Sequence, residues 1–124
     1  MIIKICPFRF MYSDFPSLIK LYSITLESNL FTGPLPLQFG PTSLLGSANF
    51  RNNFFTGPFP ETWISCPQLY SIDISSNKLT GVIPALLGSM IQLTYFDISV
   101  NQFSGSIPPG VKGELYMSRV KAEG

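Results

Sequence analysis

Histidine is absent from the 124 residues of this chain, and charged residues make up only 12% of them. Without histidine, the sequence lacks the usual general base at neutral pH and the most common metal ligand. The 8 lysines and arginines nearly balance the 7 aspartates and glutamates, which gives no electrostatic attraction to nucleic acid or to an anionic membrane surface. Hydrophobic residues reach 45%, a composition that excludes an intrinsically disordered chain.

Cysteine is also scarce. Cys6 and Cys66 lie far apart in the sequence and cannot define a disulfide framework, so the redox compartment stays open. We expect Cys66 to be a buried free thiol, because unpaired cysteine usually behaves as a small apolar residue. The tripeptide N-x-[ST] is missing throughout, so ordinary N-glycosylation is not predicted.

Long apolar runs are missing as well. The most apolar stretch, Val82–Val100, is interrupted by Pro84 and Asp97, whereas a transmembrane helix needs about 20 mostly apolar residues. Near the N-terminus, Pro7 and Arg9 interrupt the sequence before the apolar region of a signal peptide is complete. We therefore predict neither a transmembrane segment nor a recognisable signal peptide in this chain.

What the sequence does contain is a 24-residue period. Four asparagines mark it, Asn29, Asn53, Asn77 and Asn101, and the positions around them recur in all four units without insertion or deletion. Apolar residues stand eight, five and three positions before each asparagine and two, six and ten after it, while glycine and proline follow at four and seven. Repeats occupy residues 17–112, and we expect local repacking in the second one, which departs most from the pattern.

These residue types recur for a physical reason. Alternating apolar residues such as Ile72 and Ile74 predict a short strand with both side chains on one face. Identical strands stacked in parallel about 4.8 Å apart bury that face as a continuous spine. Glycine suits a backbone with positive φ, and proline suits an edge that needs no ladder hydrogen bond. We predict a repeat solenoid: a right-handed curved coil with short parallel strands on its concave side and a 3-10 or irregular convex side.

Each of the four asparagines stands where the chain must turn out of its strand. An asparagine side chain can bond backbone groups of its own loop and of the neighbouring coils. We therefore expect Asn29, Asn53, Asn77 and Asn101 to form a structural asparagine ladder.

The segment L-x-x-I-x-I-x-x-N-x-L-x-G-x-I-P, from Leu69 to Pro84, resembles the plant-type leucine-rich repeat. The resemblance covers residues 18–111. Its G-x-[IL]-P half is specific to the plant subclass, which is found in receptor-like kinases, receptor-like proteins and cell-wall inhibitors of fungal polygalacturonases. The resemblance implies an extracellular or cell-surface location. The paired-cysteine caps typical of extracellular members are absent, so we expect a fragment of a longer ectodomain.

Both ends of the chain depart from the period. In the N-terminal segment, residues 1–16, Met11 and Phe15 fit the tail of a preceding coil, and residues 1–10 match no repeat position. Residues 113–124 are predicted to form a degenerate half repeat. Its strand would place Met117, Val120 and Ala122 inward, with charged residues between them that discourage edge pairing.

Candidate binding residues lie on the variable positions of the concave face, since the fixed positions build the core. This face is rich in hydroxyl and amide groups, which suit hydrogen bonding to an extended peptide or a sugar, and Tyr70 and Tyr95 are rigid anchors. The predicted ligand-binding residues are Tyr22, Thr25, Glu27, Asn49, Arg51, Tyr70, Asp73, Tyr95 and Asp97.

Asp73 and Asp97 are the one pair that could suggest an enzyme, because two neighbouring carboxylates can divide acid and base roles in glycoside hydrolysis. However, we expect both to be exposed on an open sheet, with no deep pocket to raise one pKa. Serine is plentiful, but neither histidine nor a G-x-S-x-G elbow accompanies it. We therefore predict no catalytic activity, no cofactor and no metal site.

The resemblance implies a recognition module, part of a receptor-like ectodomain that binds a peptide or a partner ectodomain through its concave face. Two alternatives stay open. One is a secreted cell-wall protein, similar to polygalacturonase inhibitors, that binds a glycosidase or a cell-wall polysaccharide. The other is a truncated product without independent function.

Overall fold

Each repeat contributes one short strand to a parallel sheet. The computed structural model describes residues 2–4, 20–106, 108 and 114–116. Within them the strands are, in chain order, β1 (Ile2–Lys4), β2 (Ser23–Thr25), β3 (Thr32–Gly33), β4 (Ser47–Asn49), β5 (Phe54–Gly57), β6 (Ser71–Asp73), β7 (Lys78–Val82), β8 (Tyr95–Asp97), β9 (Gln102–Ser104) and β10 (Glu114–Tyr116). The six strands β1, β2, β4, β6, β8 and β10 form the sheet in that order.

Equivalent residues of successive repeats are paired in this sheet, which is the concave one. Ile24 pairs with Ala48, Ala48 with Ile72, and Ile72 with Phe96, all between parallel strands. These four side chains are buried, so the middle residue of each strand belongs to one continuous apolar column. The predicted solenoid with parallel strands is therefore confirmed.

A second parallel sheet forms from the residues that follow each asparagine, where the sequence analysis predicts only 3-10 or irregular structure. Strands β3, β5, β7 and β9 lie in this order, and they are staggered, because Thr32 pairs with Phe54 and not with Thr56. The segment is extended because polar and buried apolar residues alternate along it. One glycine lies in each of β3, β5 and β7, and one lies just after β9. All four have a φ between 84° and 88°, a conformation that residues with a side chain avoid.

In the second and third repeats, a 3-10 helix follows the proline of the G-x-I-P segment. The helices are Glu61–Ser65 and Ala85–Ser89. The carbonyl oxygens of Pro60 and Pro84 accept the amide hydrogens of Trp63 at 3.1 Å and Leu87 at 3.0 Å. This turn directs Trp63 and Leu87 into the core, where both are buried.

The apolar columns between the two sheets and the 3-10 helices form one core. Every column that the period predicts to be inward is buried wherever the structure describes it, including Leu21, Leu45, Leu69, Leu93, Leu26, Phe50, Ile74, Ile98, Phe31, Phe55, Leu79, Phe103, Leu35, Phe59 and Ile83. Cys66 joins this core as a buried free thiol. Burial raises the pKa of Cys66 to about 11, so the thiol stays protonated at neutral pH.

Aromatic rings fill the second repeat. Trp63 packs against Phe50 and Phe59 with ring centroids 5.6 Å and 5.8 Å apart, and Phe50 packs edge-on against Phe55 at 5.4 Å. The small side chain of Ala48 stands in the strand column where the other repeats have Ile or Phe. The second repeat thus has a small residue in its strand and large aromatic residues after it, and these rings keep the core filled. This is the repacking expected for this repeat.

Both ends of the concave sheet differ from expectation. Residues 2–4, which match no repeat position, form the strand β1, and Ile3 pairs with Ile24. At the other end, Leu115 pairs with Phe96, whereas the period places Val120 there. The last strand therefore comes earlier in the chain than the 24-residue spacing predicts, because parallel pairing requires only matched backbones and not a full coil between them. The expected positions 11–16 and 117–122 lie outside the described residues.

Among the residues that the structure describes, we find no helix with the length and hydropathy of a membrane span.

Candidate ligand-binding surface

In the second, third and fourth repeats, the asparagine joins its own loop to the coil before it. In the third repeat, Nδ2 of Asn77 donates to the carbonyl oxygens of Ile74 and Ser75 in its own turn and to that of Phe50 in the second repeat, at 3.0–3.2 Å. Its Oδ1 accepts the amide hydrogen of Phe55 at 3.1 Å. Asn53 and Asn101 repeat this arrangement one coil earlier and one coil later. These bonds hold the turns after β2, β4, β6 and β8 in place relative to one another.

The residue before each asparagine has a left-handed backbone. Ser28, Asn52, Ser76 and Val100 have φ between 55° and 59°. Serine and asparagine tolerate this region better than a β-branched residue, for which it is a genuine outlier. Val100 is also 46% exposed, so burial of its side chain compensates little for the backbone strain.

The structure places all nine predicted binding residues on the concave strands or directly beside them. Four are exposed and three are half-buried, whereas two are buried. The exposed ones are Tyr22, Glu27, Arg51 and Tyr70, the half-buried ones are Thr25, Asn49 and Tyr95, and the buried ones are Asp73 and Asp97.

The exposure expected for Asp73 and Asp97 is wrong, since each keeps only 8% of its surface. Oδ1 of Asp73 accepts two hydrogen bonds from Ser75, from the backbone amide at 3.1 Å and from Oγ at 2.6 Å. Asp97 holds Ser99 in the same way, and Oδ1 of Asn49 accepts the amide hydrogen of Arg51. In the second, third and fourth repeats this column therefore closes the turn after the strand, which explains the burial of Asp73 and Asp97.

The two carboxylates lie on neighbouring strands, but each is engaged in its own turn. Asp73 and Asp97 are paired in register on adjacent strands. Burial raises the pKa of the Asp73 carboxyl, the hydrogen bonds from Ser75 oppose this, and the Asp97 charge adds a smaller increase. Both carboxylates use Oδ1 to hold a local turn, and such a role explains the arrangement without chemistry on a substrate. Within the described part of the chain, His, Cys, Asp and Glu side chains nowhere form a group of three that could hold a metal ion.

Gly46 is the residue of this surface that sequence reasoning missed. It occupies the same position as Tyr22, Tyr70 and Thr94 in their repeats, and it alone has no side chain. A Cβ at Gly46 would lie 2.9 Å from Cε1 of Tyr70 and 3.3 Å from Cδ1. The edge of the Tyr70 ring therefore leans over Gly46 into the space that a side chain would take. The signal in the sequence was a glycine in a column of larger residues.

Comparisons with known proteins agree with this geometry. The Leucine Rich Repeat family model matches residues 68–90 and 92–113. The structure of Pollen Receptor Kinase 3 is 32% identical, covers 90% of this chain and 52% of its own, and has a TM-score of 0.72. Plant peptide hormone receptor RGFR1, solved in complex with RGF2, is 33% identical over 73% of this chain with a TM-score of 0.70.

A plant ice-binding protein is also similar, 31% identical over 71% of this chain and 28% of its own, with a TM-score of 0.65. The chain spans only 15% of the RGFR1 structure. Comparison with curated proteins gives no significant sequence match. The repeat pattern, the two sheets and the family model show that the chain is a leucine-rich repeat protein, and it is similar to ectodomains of plant receptor kinases.

Proposed function

We propose that this chain is a recognition module of an extracellular receptor-like ectodomain and that it binds a peptide or a protein partner through the concave face. The observation that carries the proposal is the separation of roles on this face. Buried columns and asparagines hold the scaffold, while Tyr22, Glu27, Arg51 and Tyr70 remain exposed on it. Structural relatives with similar repeats include a plant peptide hormone receptor in complex with its peptide.

The chemistry of the exposed residues suits a peptide. Tyr22 and Tyr70 are 52% and 51% exposed and offer large rigid contact areas at a low entropy cost. Glu27 and Arg51 stand at equivalent positions of neighbouring repeats and supply charges of both signs. These exposed side chains suit recognition, because they offer apolar area and charge to a partner that lies on the surface. A cell-wall polysaccharide, one of the open alternatives, gains no support from the receptor relatives.

Panning the purified chain against phage-displayed random dodecapeptides would test this proposal. We expect selected peptides to lose about tenfold in affinity on Tyr70→Ala or Arg51→Ala, a change of ~1.4 kcal/mol. Leu86→Ala is the matched control, since Leu86 is 69% exposed but lies in the 3-10 helix on the convex side. Peptides that bind all variants equally, or the absence of any specific peptide, would contradict the proposal.

A second candidate function, ice binding, rests on the outward face of the second sheet. Each of its strands presents a hydroxyl side chain beside its positive-φ glycine, and the three threonines are exposed; the residues are Thr32, Thr56, Thr80 and Ser104. Uncharged hydroxyls repeated on a rigid sheet can hold ordered water, and a plant ice-binding protein is among the structural relatives.

Ice recrystallisation in a rapidly frozen solution measures this activity directly. If the second sheet binds ice, the chain keeps ice grains small and Thr56→Lys removes the effect, whereas Tyr70→Ala on the concave face leaves it unchanged. Grains that coarsen as they do with an inert protein at the same concentration would exclude this candidate.

A further inference from the structure

The middle of the concave face, at β4 and β6, offers a peptide no free strand edge. Each of these two strands already pairs with a neighbouring strand on both sides, and directly after β4 the amide hydrogen of Phe50 is donated to the carbonyl oxygen of Asp73 at 2.8 Å. A bound peptide therefore cannot gain backbone ladder bonds here and must be held by side chains. An extended peptide in the polyproline II conformation fits this requirement, because it needs no backbone partner to keep its shape.

Tyr70 is the side chain best placed to hold such a peptide. Its ring edge lies against the backbone of Gly46, where a Cβ would lie 2.9 Å from Cε1. Half of the Tyr70 surface still faces solvent. On the other side of Gly46 stands Tyr22, whose carbonyl oxygen accepts the amide hydrogens of Gly46 and Ser47. The glycine thus lets one tyrosine ring lean towards the repeat that carries the other.

We infer that Gly46 positions the Tyr70 ring as a contact surface for a prolyl residue of an extended peptide. Aromatic-lined surfaces bind proline-rich segments because the proline ring is apolar and the segment loses little entropy on binding. Gly46 acts here as a positioning residue, and Tyr70 makes the contact. This inference rests on the proposed function and adds the chemical class of the ligand and the residue that orients its contact.

A double-mutant cycle on Gly46 and Tyr70 tests the inference with peptides from the dodecapeptide panning. We expect these peptides to be enriched in proline, and replacing the critical proline with alanine should weaken binding about tenfold. Gly46→Ala should weaken binding about threefold to tenfold in the presence of Tyr70 and have no effect when Tyr70 is alanine. Tyr70→Phe should retain binding, because the ring surface is unchanged.

The controls separate this inference from the proposed function and from loss of folding. Gly46 lacks a positive φ and its neighbour is a movable ring, so Gly46→Ala should fold with an unchanged urea midpoint. Peptides that need Arg51 but tolerate both Gly46→Ala and the proline replacement would overturn this inference and leave the proposed function standing. If no selected peptide depends on any concave residue, both fail.

Discussion

The indole nitrogen of Trp63 lies 2.9 Å from the carbonyl oxygen of Pro36 and donates a hydrogen bond to it. Both groups are buried, and they belong to successive repeats. Proline has no amide hydrogen, but its carbonyl still needs a donor once it is removed from water. Trp63 therefore joins two coils on the convex side, as the asparagines do at the ends of the concave strands.

Replacing Trp63 with phenylalanine should lower the free energy of unfolding by ~1–3 kcal/mol, because the Pro36 carbonyl then stays buried without this donor. Urea denaturation measures the change. Phe39→Leu changes the equivalent residue of the first repeat without breaking this hydrogen bond. For each atom removed, we expect it to lower the free energy of unfolding less than Trp63→Phe does. Equal stability of Trp63→Phe and the wild type would show that the bond adds nothing.

Asn77→Ala should destabilise the chain by ~1–3 kcal/mol, since it removes the donor to three buried carbonyl oxygens and the acceptor of the Phe55 amide. The thermal midpoint gives a direct measurement. Asn52→Gly is the control, because the Asn52 side chain is exposed and makes only a 3.3 Å bond to Ser28, and glycine accepts the positive φ of this position. A ladder role for Asn77 is incompatible with similar midpoints for these two variants.

Val100→Asn should stabilise the chain by roughly 1 kcal/mol, because asparagine tolerates the left-handed region that costs a β-branched residue. Asn52 already occupies the equivalent position with a φ of 59°. Val82→Asn provides the comparison, since Val82 is also exposed but has no positive φ, and it should give no gain. Equal changes in the free energy of unfolding at both positions would mean that the polar side chain, and not the backbone conformation, causes the effect.

Asp73→Asn should make the chain more stable at pH 7 and leave it nearly unchanged at pH 3. Burial raises the pKa of the folded Asp73 carboxyl above its unfolded value of about 3.9. The stability linked to its proton is therefore fully present below pH ~3.9 and is lost as the pH rises through the folded pKa. Asparagine keeps an oxygen that can accept the Ser75 hydrogen bonds, as Asn49 does for Arg51.

The reverse change in the adjacent strand completes this test. Asn49 pairs with Asp73, so Asn49→Asp adds a second carboxylate beside the first and should lower stability at pH 7 more than at pH 3. Unfolding curves at both pH values for the two variants measure the effect. If each variant differs in stability from the wild type by the same amount at pH 3 and at pH 7, the charge of Asp73 does not affect stability.

The sequence alone determined the solenoid, its period and its core. Leu69, Ile72 and Ile74 recur at a fixed spacing, and any such pattern must stack its copies to bury them. The roles of the repeated asparagine and glycine were predictable in the same way, because the backbone must turn at the first position and adopt a positive φ at the second. The exposed surface of the concave face was predictable only in part, because period and polarity indicate which residues avoid the core but not what they touch.

Tertiary structure decided what depends on contacts between repeats. The second sheet requires a stagger that pairs Thr32 with Phe54. The outermost strands of the concave sheet, β1 and β10, pair outside the 24-residue spacing, because parallel ladders match backbone groups and not sequence periods. Asp73 is buried because Ser75 folds back onto it, and Tyr70 leans over Gly46 because one repeat lacks a side chain there. Such contacts depend on distances between coils, which a one-dimensional pattern does not contain.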